Sequence, residues 1–113
     1  MVKARSRIPD SGDIAWLNFS PQAGHEQAGR RPALVLSPAK YNGTTSMMIC
    51  CPMTTQVKGY PFEVVVSEHP PSAILADQVK SLDWRRRGAL PKGRVPESVM
   101  AEVRAKIRAL IGA

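Results

Sequence analysis

The apolar positions of this chain recur at spacings of two for most of its length and at spacings of three and four only near its end. In DIAWLNF, Asp13 to Phe19, the alternation is imperfect. Ile14, Trp16 and one residue between Leu17 and Phe19 nevertheless predict an inward face on a first strand. Pro21 and Gly24 open a polar loop, after which Pro32 to Leu36 runs on without polar interruption, the pattern of a buried strand. Asn42 and Gly43 readily take positive φ, so YNGTT predicts a hairpin connection into a third strand, Ser46 to Met53. A further turn is predicted at KGYPF, Lys58 to Phe62, where Gly59 permits positive φ and Pro61 holds Tyr60 extended before the strand FEVVVS. Pro70 and Pro71 separate that strand from SAILADQVKSLDW, one long bent strand or two short ones broken near Asp77. If the Asp77 carboxylate faces inward it needs hydrogen-bond partners. Lys92-Gly93 is expected to close the last short strand pair. From Pro96 the period changes, with Met100, Val103, Ile107 and Leu110 on one helical face, Pro96 suited to the first turn and Gly112 to the end. The elements predict an antiparallel barrel covered by one carboxy-terminal amphipathic helix. One domain spanning residues 1–113 is expected, without repeats, low-complexity tracts or a linker.

Composition narrows the partners. A chain of 113 residues is long enough for a single hydrophobic core and little more. Sixteen lysines and arginines against nine acidic residues give a formal charge of +7, which concentrates polyanions such as RNA or DNA at the surface. For an arbitrary small basic domain, a merely solvated surface ranks level with nucleic-acid binding. The two cysteines, Cys50 and Cys51, are neighbours that a strand points to opposite faces, so a disulfide between them is unfavourable and a reduced, cytoplasmic setting is expected. With no CxxC pair and no histidine and acid cluster at ligand spacing, no metal or cofactor is expected. MVKARSRIPDSGD lacks the apolar core of a signal peptide, and no run approaches the ~20 apolar residues of a membrane span, so a soluble protein is expected.

The candidate chemistry lies in GHEQAGRRP, Gly24 to Pro32, where a carboxylate at Glu26 precedes guanidiniums at Arg30 and Arg31 on a loop leading into a strand. CPMTTQ, Cys51 to Gln56, supplies a polar counterpart. A proton acceptor near a fixed cation that grips phosphate suits phosphodiester chemistry. In isolation each feature has a plainer reading: Arg30 and Arg31 as a solvated pair, Thr54 and Thr55 as turn hydroxyls, Asp77 as a carboxylate pinning a strand bend. Trp16 and Trp84 read as core or dimer packing, Met47, Met48 and Met53 as strand packing, and His69 as an exposed loop residue. Arg85 to Arg87 reads as surface, with strand alternation sending Arg86 opposite to its neighbours.

The ordered segments GDIAWLNF, EQAG-R-RP, PALVLSP, YN, CP-TTQ-KGYPFEVV, LADQVKS-DWR and the closing K-G helix together resemble the MazF family of toxin endoribonucleases, also called PemK-like, over nearly the whole chain. The resemblance implies a mainly β, α+β fold, the SH3-like small barrel shared by MazF and CcdB toxins. It also implies a homodimer, sequence-specific cleavage of single-stranded RNA, and a cognate, MazE-like antitoxin whose acidic flexible segment competes for the RNA groove. The family's catalytic arginine falls on Arg31 and its threonine on Thr54, and Glu26 matches a loop glutamate. His25 stands where a relative has a small hydroxyl residue and Arg30 where it has histidine; neither change removes the core pair. His25 is a further proton-transfer candidate. Phe19, Gln27, Arg30, Thr55, Gln56, Lys58, Gln78, Lys80 and Ser81 are the candidate substrate-binding residues.

RNA carries its own nucleophile, so such an enzyme has only to deprotonate the 2′-hydroxyl, stabilise the phosphorane and protonate the leaving oxygen, without a metal. Arg31, whose pKa above ~12 makes it an awkward base, is expected to carry transition-state charge, and Thr54 to donate a hydrogen bond rather than attack. Two other functions stay open: a CcdB-like gyrase-binding toxin, which shares the barrel but leaves the loop arginine and the strand threonine without an evident role, and an RNA-binding module with weakened catalysis.

Overall fold

A computed structural model of the chain describes residues 7–19 and 29–113. Its elements are β1 (Asp13–Asn18), β2 (Arg30–Val35), α1 (Ala39–Thr45), β3 (Met47–Thr54), β4 (Glu63–Glu68), β5 (Pro71–Leu75), β6 (Lys80–Asp83), β7 (Leu90–Arg94) and α2 (Glu97–Ile111). The strands form one seven-stranded antiparallel sheet in the order β4-β5-β3-β2-β1-β7, with β6 paired to β3 off that path. β3 makes the sheet curl. One of its edges pairs with β6 from Met47 to Cys50 and then with β5 at Met53 and Thr54, while the other edge pairs with β2.

Both faces are buried at the centre of the sheet, between two cores, which explains the unbroken apolar run in β2, where Ala33, Leu34 and Val35 are all inaccessible. One core contains Leu34, Cys51, Met53, Val64, Ile74 and, from α2, Met100 and Val103, with Ile14 and Ile107 packed against it. The other contains Ala15, Leu17, Ala33, Val35, Met48, Cys50, Leu82 and Trp84, with Phe19 against it. Cys50 and Cys51 fall in different cores and are free thiols, as their opposite directions on a strand require. α2 runs from Pro96, which takes extended geometry at the N-cap, to Gly112 at φ 77. Among the described residues no helix is long and apolar enough to cross a membrane.

Several local expectations are corrected. YNGTT is not a hairpin but most of α1, because Asn42 is fully buried and spends its side chain on tertiary bonds rather than on a turn. Its Nδ2 donates to Pro9 O at 2.7 Å and Ser37 O at 2.9 Å, and its Oδ1 accepts from Ser37 Oγ at 2.6 Å. Gly43 serves close approach: a Cβ there would lie 2.8 Å from Ile8 Cδ1. The left-handed residue is Ser46, φ 66, whose N–H donates to Asn42 O. In β1 the inaccessible positions are Ala15 and Leu17; Trp16 is only half-buried and belongs to neither core. Leu110, expected on the buried helical face, is 46% exposed beyond the last core contact of α2. Arg85 to Arg87 form a turn rather than a strand, so alternation does not apply to them, and Lys92-Gly93 lie within β7 instead of closing it. SAILADQVKSLDW takes the second of its two expected forms, two short strands, with Asp77 exposed between them and accepting a hydrogen bond from Tyr60 Oη at 2.9 Å.

Candidate active site

Register brings the candidate residues together. β1 pairs with β2 so that Leu17 faces Arg31 and Asn18 faces Arg30. β2 pairs with β3 at Ala33 with Pro52, Leu34 with Cys51 and Val35 with Cys50, and extending that register by two residues sets Arg31 across from Thr54. Partners in an antiparallel pair share a face, so Arg31 leaves on the side of Leu17 and Ala33, and Arg30 on the opposite side with Trp16 and Pro32. Both residues line a groove of about 320 Å³ at this end of the sheet, together with Trp16, Pro32, Met53, Thr54, Thr55, Gln56 and Ser72. The Arg31 side chain is exposed.

The segment after Thr54 is held by its own backbone. Thr54 Oγ1 accepts the Gln56 N–H at 2.9 Å, which fixes the TTQ turn and leaves the hydroxyl proton free to donate elsewhere. Glu63, only 8% exposed, accepts the Lys58 N–H at 3.0 Å and the Gly59 N–H at 2.6 Å, so the carboxylate at the start of β4 ties down the loop that Thr54 enters. Sequence reasoning passed over Glu63 as one position of FEVVVS. The signal available was an acid just after a glycine turn, where two consecutive N–H groups converge.

A second group surrounds the end of β1. Lys80 Nζ lies 5.6 Å from the centre of the Phe19 ring, and Lys80 pairs across β6 and β3 with Cys50. Phe19 packs on the core that contains Cys50. Burial pushes the Cys50 thiol up to about 11, with the charges of Lys80 and Arg87 opposing the rise. Strand parity therefore sets Phe19, Arg31, Thr54 and Lys80 on one face. Lys92 Nζ stands 5.2 Å from the Trp16 ring, a cation that the sequence did not connect to the groove. Arg87 was likewise unassigned; its Nη1 donates to Phe19 O at 2.7 Å and Asn18 O at 3.3 Å.

Of the candidates read from sequence, Arg30, Arg31, Thr54, Thr55 and Gln56 line the groove. Phe19, Lys58, Gln78, Lys80 and Ser81 do not, and Phe19 and Lys80 meet each other instead. His25, Glu26 and Gln27 lie outside the described residues. Among the described residues no group of three or more histidine, cysteine or acidic side chains is placed to hold a metal ion.

Residues 10–111 match the family model of the PemK-like, MazF-like toxins of type II toxin-antitoxin systems. The chain belongs to that family. It is 55% identical over 106 residues to the endoribonuclease toxin MazF of Escherichia coli K12, covering 93% of this chain and 96% of the relative. The crystal structure of MazF from Deinococcus radiodurans superposes with a TM-score of 0.84 at 55% identity, covering 95% of this chain and 99% of that one. A MazE-MazF crystal structure from the same organism contains a chain matched with a TM-score of 0.85 at 53% identity, covering 94% of this chain and 98% of that one. The curled antiparallel sheet with one carboxy-terminal helix is thus the MazF fold, and this MazF-like chain is an endoribonuclease of that family.

Proposed function

We propose that this MazF/PemK-family endoribonuclease cuts single-stranded RNA at short sequences by internal attack of the 2′-hydroxyl, leaving a 2′,3′-cyclic phosphate and a 5′-hydroxyl. The observation that carries the reading is the presence of Arg31 and Thr54 together at one groove, delivered by adjacent strands. Arg31 presents a planar, permanently charged fork to two non-bridging oxygens, and that interaction strengthens as charge accumulates in the phosphorane. Thr54, its lone pair occupied by Gln56 N–H, turns its proton toward the same oxygens. With the nucleophile inside the substrate and the charge met by a guanidinium, the reaction proceeds without a metal ion. Glu26 is the first candidate for proton transfer and His25 the second, since an imidazole pKa near ~6.5 suits the task. Phe19 and Lys80 offer a ring and a cation to a base and its phosphate, with Thr55, Gln56, Arg30, Gln27, Lys58, Gln78 and Ser81 as further polar contacts.

The +7 charge favours an acidic, flexible antitoxin segment as the inhibitor. The MazE-MazF structures from Deinococcus radiodurans support an antitoxin partner for this chain as well, and a homodimer is part of the same reading. Incubating the protein and its Arg31→Ala variant with a long single-stranded RNA in excess EDTA, then sequencing the ends, tests the reading. Cuts at one short motif with 5′-hydroxyl ends, absent from the variant and from a substrate with 2′-deoxyribose at the cut site, are expected. A folded protein that makes no cuts, or that still cuts the deoxy substrate, refutes it.

A further inference from the structure

Arg85, Arg86 and Arg87 make an obvious surface patch for a polyanion, yet the structure gives the three side chains different surroundings. The Arg85 guanidinium stacks 4.3 Å from the centre of the Trp84 ring, and the Arg85 and Arg86 side chains are exposed. Arg87 is half-buried and turned inward, donating through Nη1 to Phe19 O at 2.7 Å and to Asn18 O at 3.3 Å. Among the described residues it has no carboxylate partner. The site it grips is the start of the connection between β1 and β2, whose sequence includes Glu26 and which ends where β2 begins at Arg30. There Phe19 N–H donates to Gly29 O at 2.7 Å, and Asn18 N–H donates to Arg87 O at 3.0 Å. On the returning side, Arg30 Nη2 donates to Gly88 O at 3.4 Å. One turn therefore touches both ends of the loop.

That turn is itself fixed from behind. Ala89 N–H donates to Trp84 O at 3.0 Å and Arg87 N–H to Asp83 O at 3.2 Å. Asp83 Oδ1 accepts from Arg86 N–H at 3.0 Å and Ser46 Oγ at 3.2 Å, and Trp84 Nε1 donates to Asn42 O at 2.9 Å inside the core. A guanidinium is a charged donor able to serve two carbonyls at once.

We propose that Arg87 is a positioning residue, which holds the end of β1 and, through the turn it belongs to, the start of β2, so that Arg31 meets the scissile phosphate in register. The inference rests on the reading of Arg31 as the phosphate-binding group. A displacement of about 1 Å in such a group lowers turnover by about 100-fold. The rival role for Arg87 is a direct phosphate contact, and the two roles differ in salt dependence, because losing one phosphate contact to a single strand flattens the plot of log K against log salt by about 0.7.

The test compares Arg87→Gln, Arg87→Lys and, on the exposed side of the turn, Arg86→Gln. It measures single-turnover cleavage at saturating RNA, the salt dependence of binding to an uncleavable 2′-deoxy analogue, and amide exchange at Phe19. Arg87→Gln is expected to cut about 10- to 100-fold more slowly at saturating RNA, with an unchanged salt slope and faster exchange at Phe19. Arg87→Lys, which keeps a charged donor, is expected to recover part of both losses, and Arg86→Gln to leave the cleavage rate as it was. A flatter salt slope with cleavage at saturation and Phe19 exchange unaltered overturns the proposal and makes Arg87 a substrate contact. Should Arg87→Gln fail to fold, the same readings on Arg87→Lys decide the matter. The exchange measurement needs no RNA, so an inactive parent protein would count against the ribonuclease reading while the positioning role was still being judged.

Discussion

Replacing Asn42 with alanine removes a buried polar hub rather than a turn residue, and the loss can be worked through atom by atom. Asn42 is fully inaccessible, and its side chain makes three bonds: to Pro9 O, to Ser37 O and from Ser37 Oγ. Alanine leaves two carbonyls without those donors. Each buried unsatisfied group costs about 1–3 kcal/mol. Pro9 is half-buried and Ser37 nearly inaccessible, so water can relieve the first carbonyl more readily than the second. The Ser37 hydroxyl retains one bond, accepting Ile49 N–H at 2.8 Å, and can rotate its proton toward another acceptor. The void left by the amide adds on the order of 1 kcal/mol, and the higher helix propensity of alanine returns about 0.5 kcal/mol. The net expectation is a loss of about 3–4 kcal/mol, a large part of the 5–15 kcal/mol typical of a small domain's total stability. Urea unfolding followed by tryptophan fluorescence measures it, since Trp84 Nε1 donates to the Asn42 carbonyl at 2.9 Å. The midpoint should fall with the slope against urea unchanged. Asn42→Asp, which aims a carboxylate at two carbonyls, should be worse than alanine. An alanine variant within about 1 kcal/mol of the parent, or an aspartate variant as stable as the alanine one, would refute the hub argument.

Arg31→Lys keeps the charge but loses the planar fork, so cleavage should drop about 100-fold or more while affinity for an uncleavable 2′-deoxy RNA changes little; comparable losses in binding and in rate would contradict a transition-state role. Glu63→Gln leaves one acceptor where Lys58 and Gly59 N–H groups converge, and should lower unfolding stability by about 1–3 kcal/mol and speed proteolysis between residues 55 and 60. Burial raises Cys50 from 9.0 to about 11 and Cys51 from 9.0 to about 12, so both thiols are protonated in the folded chain where unfolded thiols ionise. Their contribution to stability is therefore complete below pH 9.0 and is lost as pH rises through about 11 and 12. Urea titrations at rising pH should show a decline that is shallower in the Cys50→Ala, Cys51→Ala double variant, and alkylation of the native protein at pH 8 should be slow. For Asp83, the Arg86 backbone N–H, with Ser46 Oγ, holds the carboxyl below its ordinary value of 3.8, opposed by burial. Its contribution to stability is present above that value and is lost as pH falls through the lowered one, a loss that Asp83→Asn should abolish in acid titrations.

The strands were legible wherever one physical pressure acted alone. β2 reads as a buried strand because both its faces are covered, and the end of the chain reads as a helix because α2 buries one stripe through Met100 and Val103. Asn42-Gly43 misled because the same residue types serve two ends. Positive φ and a short polar side chain make a turn, but an amide that meets two carbonyls and a glycine that admits Ile8 make a tightly packed helix. The residue types alone do not separate those cases, since Pro9 and Ile8 reach Asn42 and Gly43 only through the tertiary fold and the Ser37 bonds form only once the chain has turned into α1. Trp16 misled in the opposite way. Its size suggests the core, while the inaccessible positions of β1 went to Ala15 and Leu17.

The candidate site divides along the same line. Arg31 and Thr54 could be singled out in the sequence because they fall on motif positions of the family it resembles, where a guanidinium fork and a hydroxyl suit phosphate chemistry; by side-chain type alone they read as a solvated pair and a turn hydroxyl. Residues that hold them in place act on backbone atoms. Glu63 answers two N–H groups and Arg87 answers two carbonyls, groups that every residue carries and that no composition or spacing marks. An arginine in an RRR run is read as a surface charge because the polar atoms it satisfies lie 68 and 69 positions away. The more a residue's work is to orient another part of the backbone, the less its own neighbours in sequence betray it, and the fold is where such residues have to be sought.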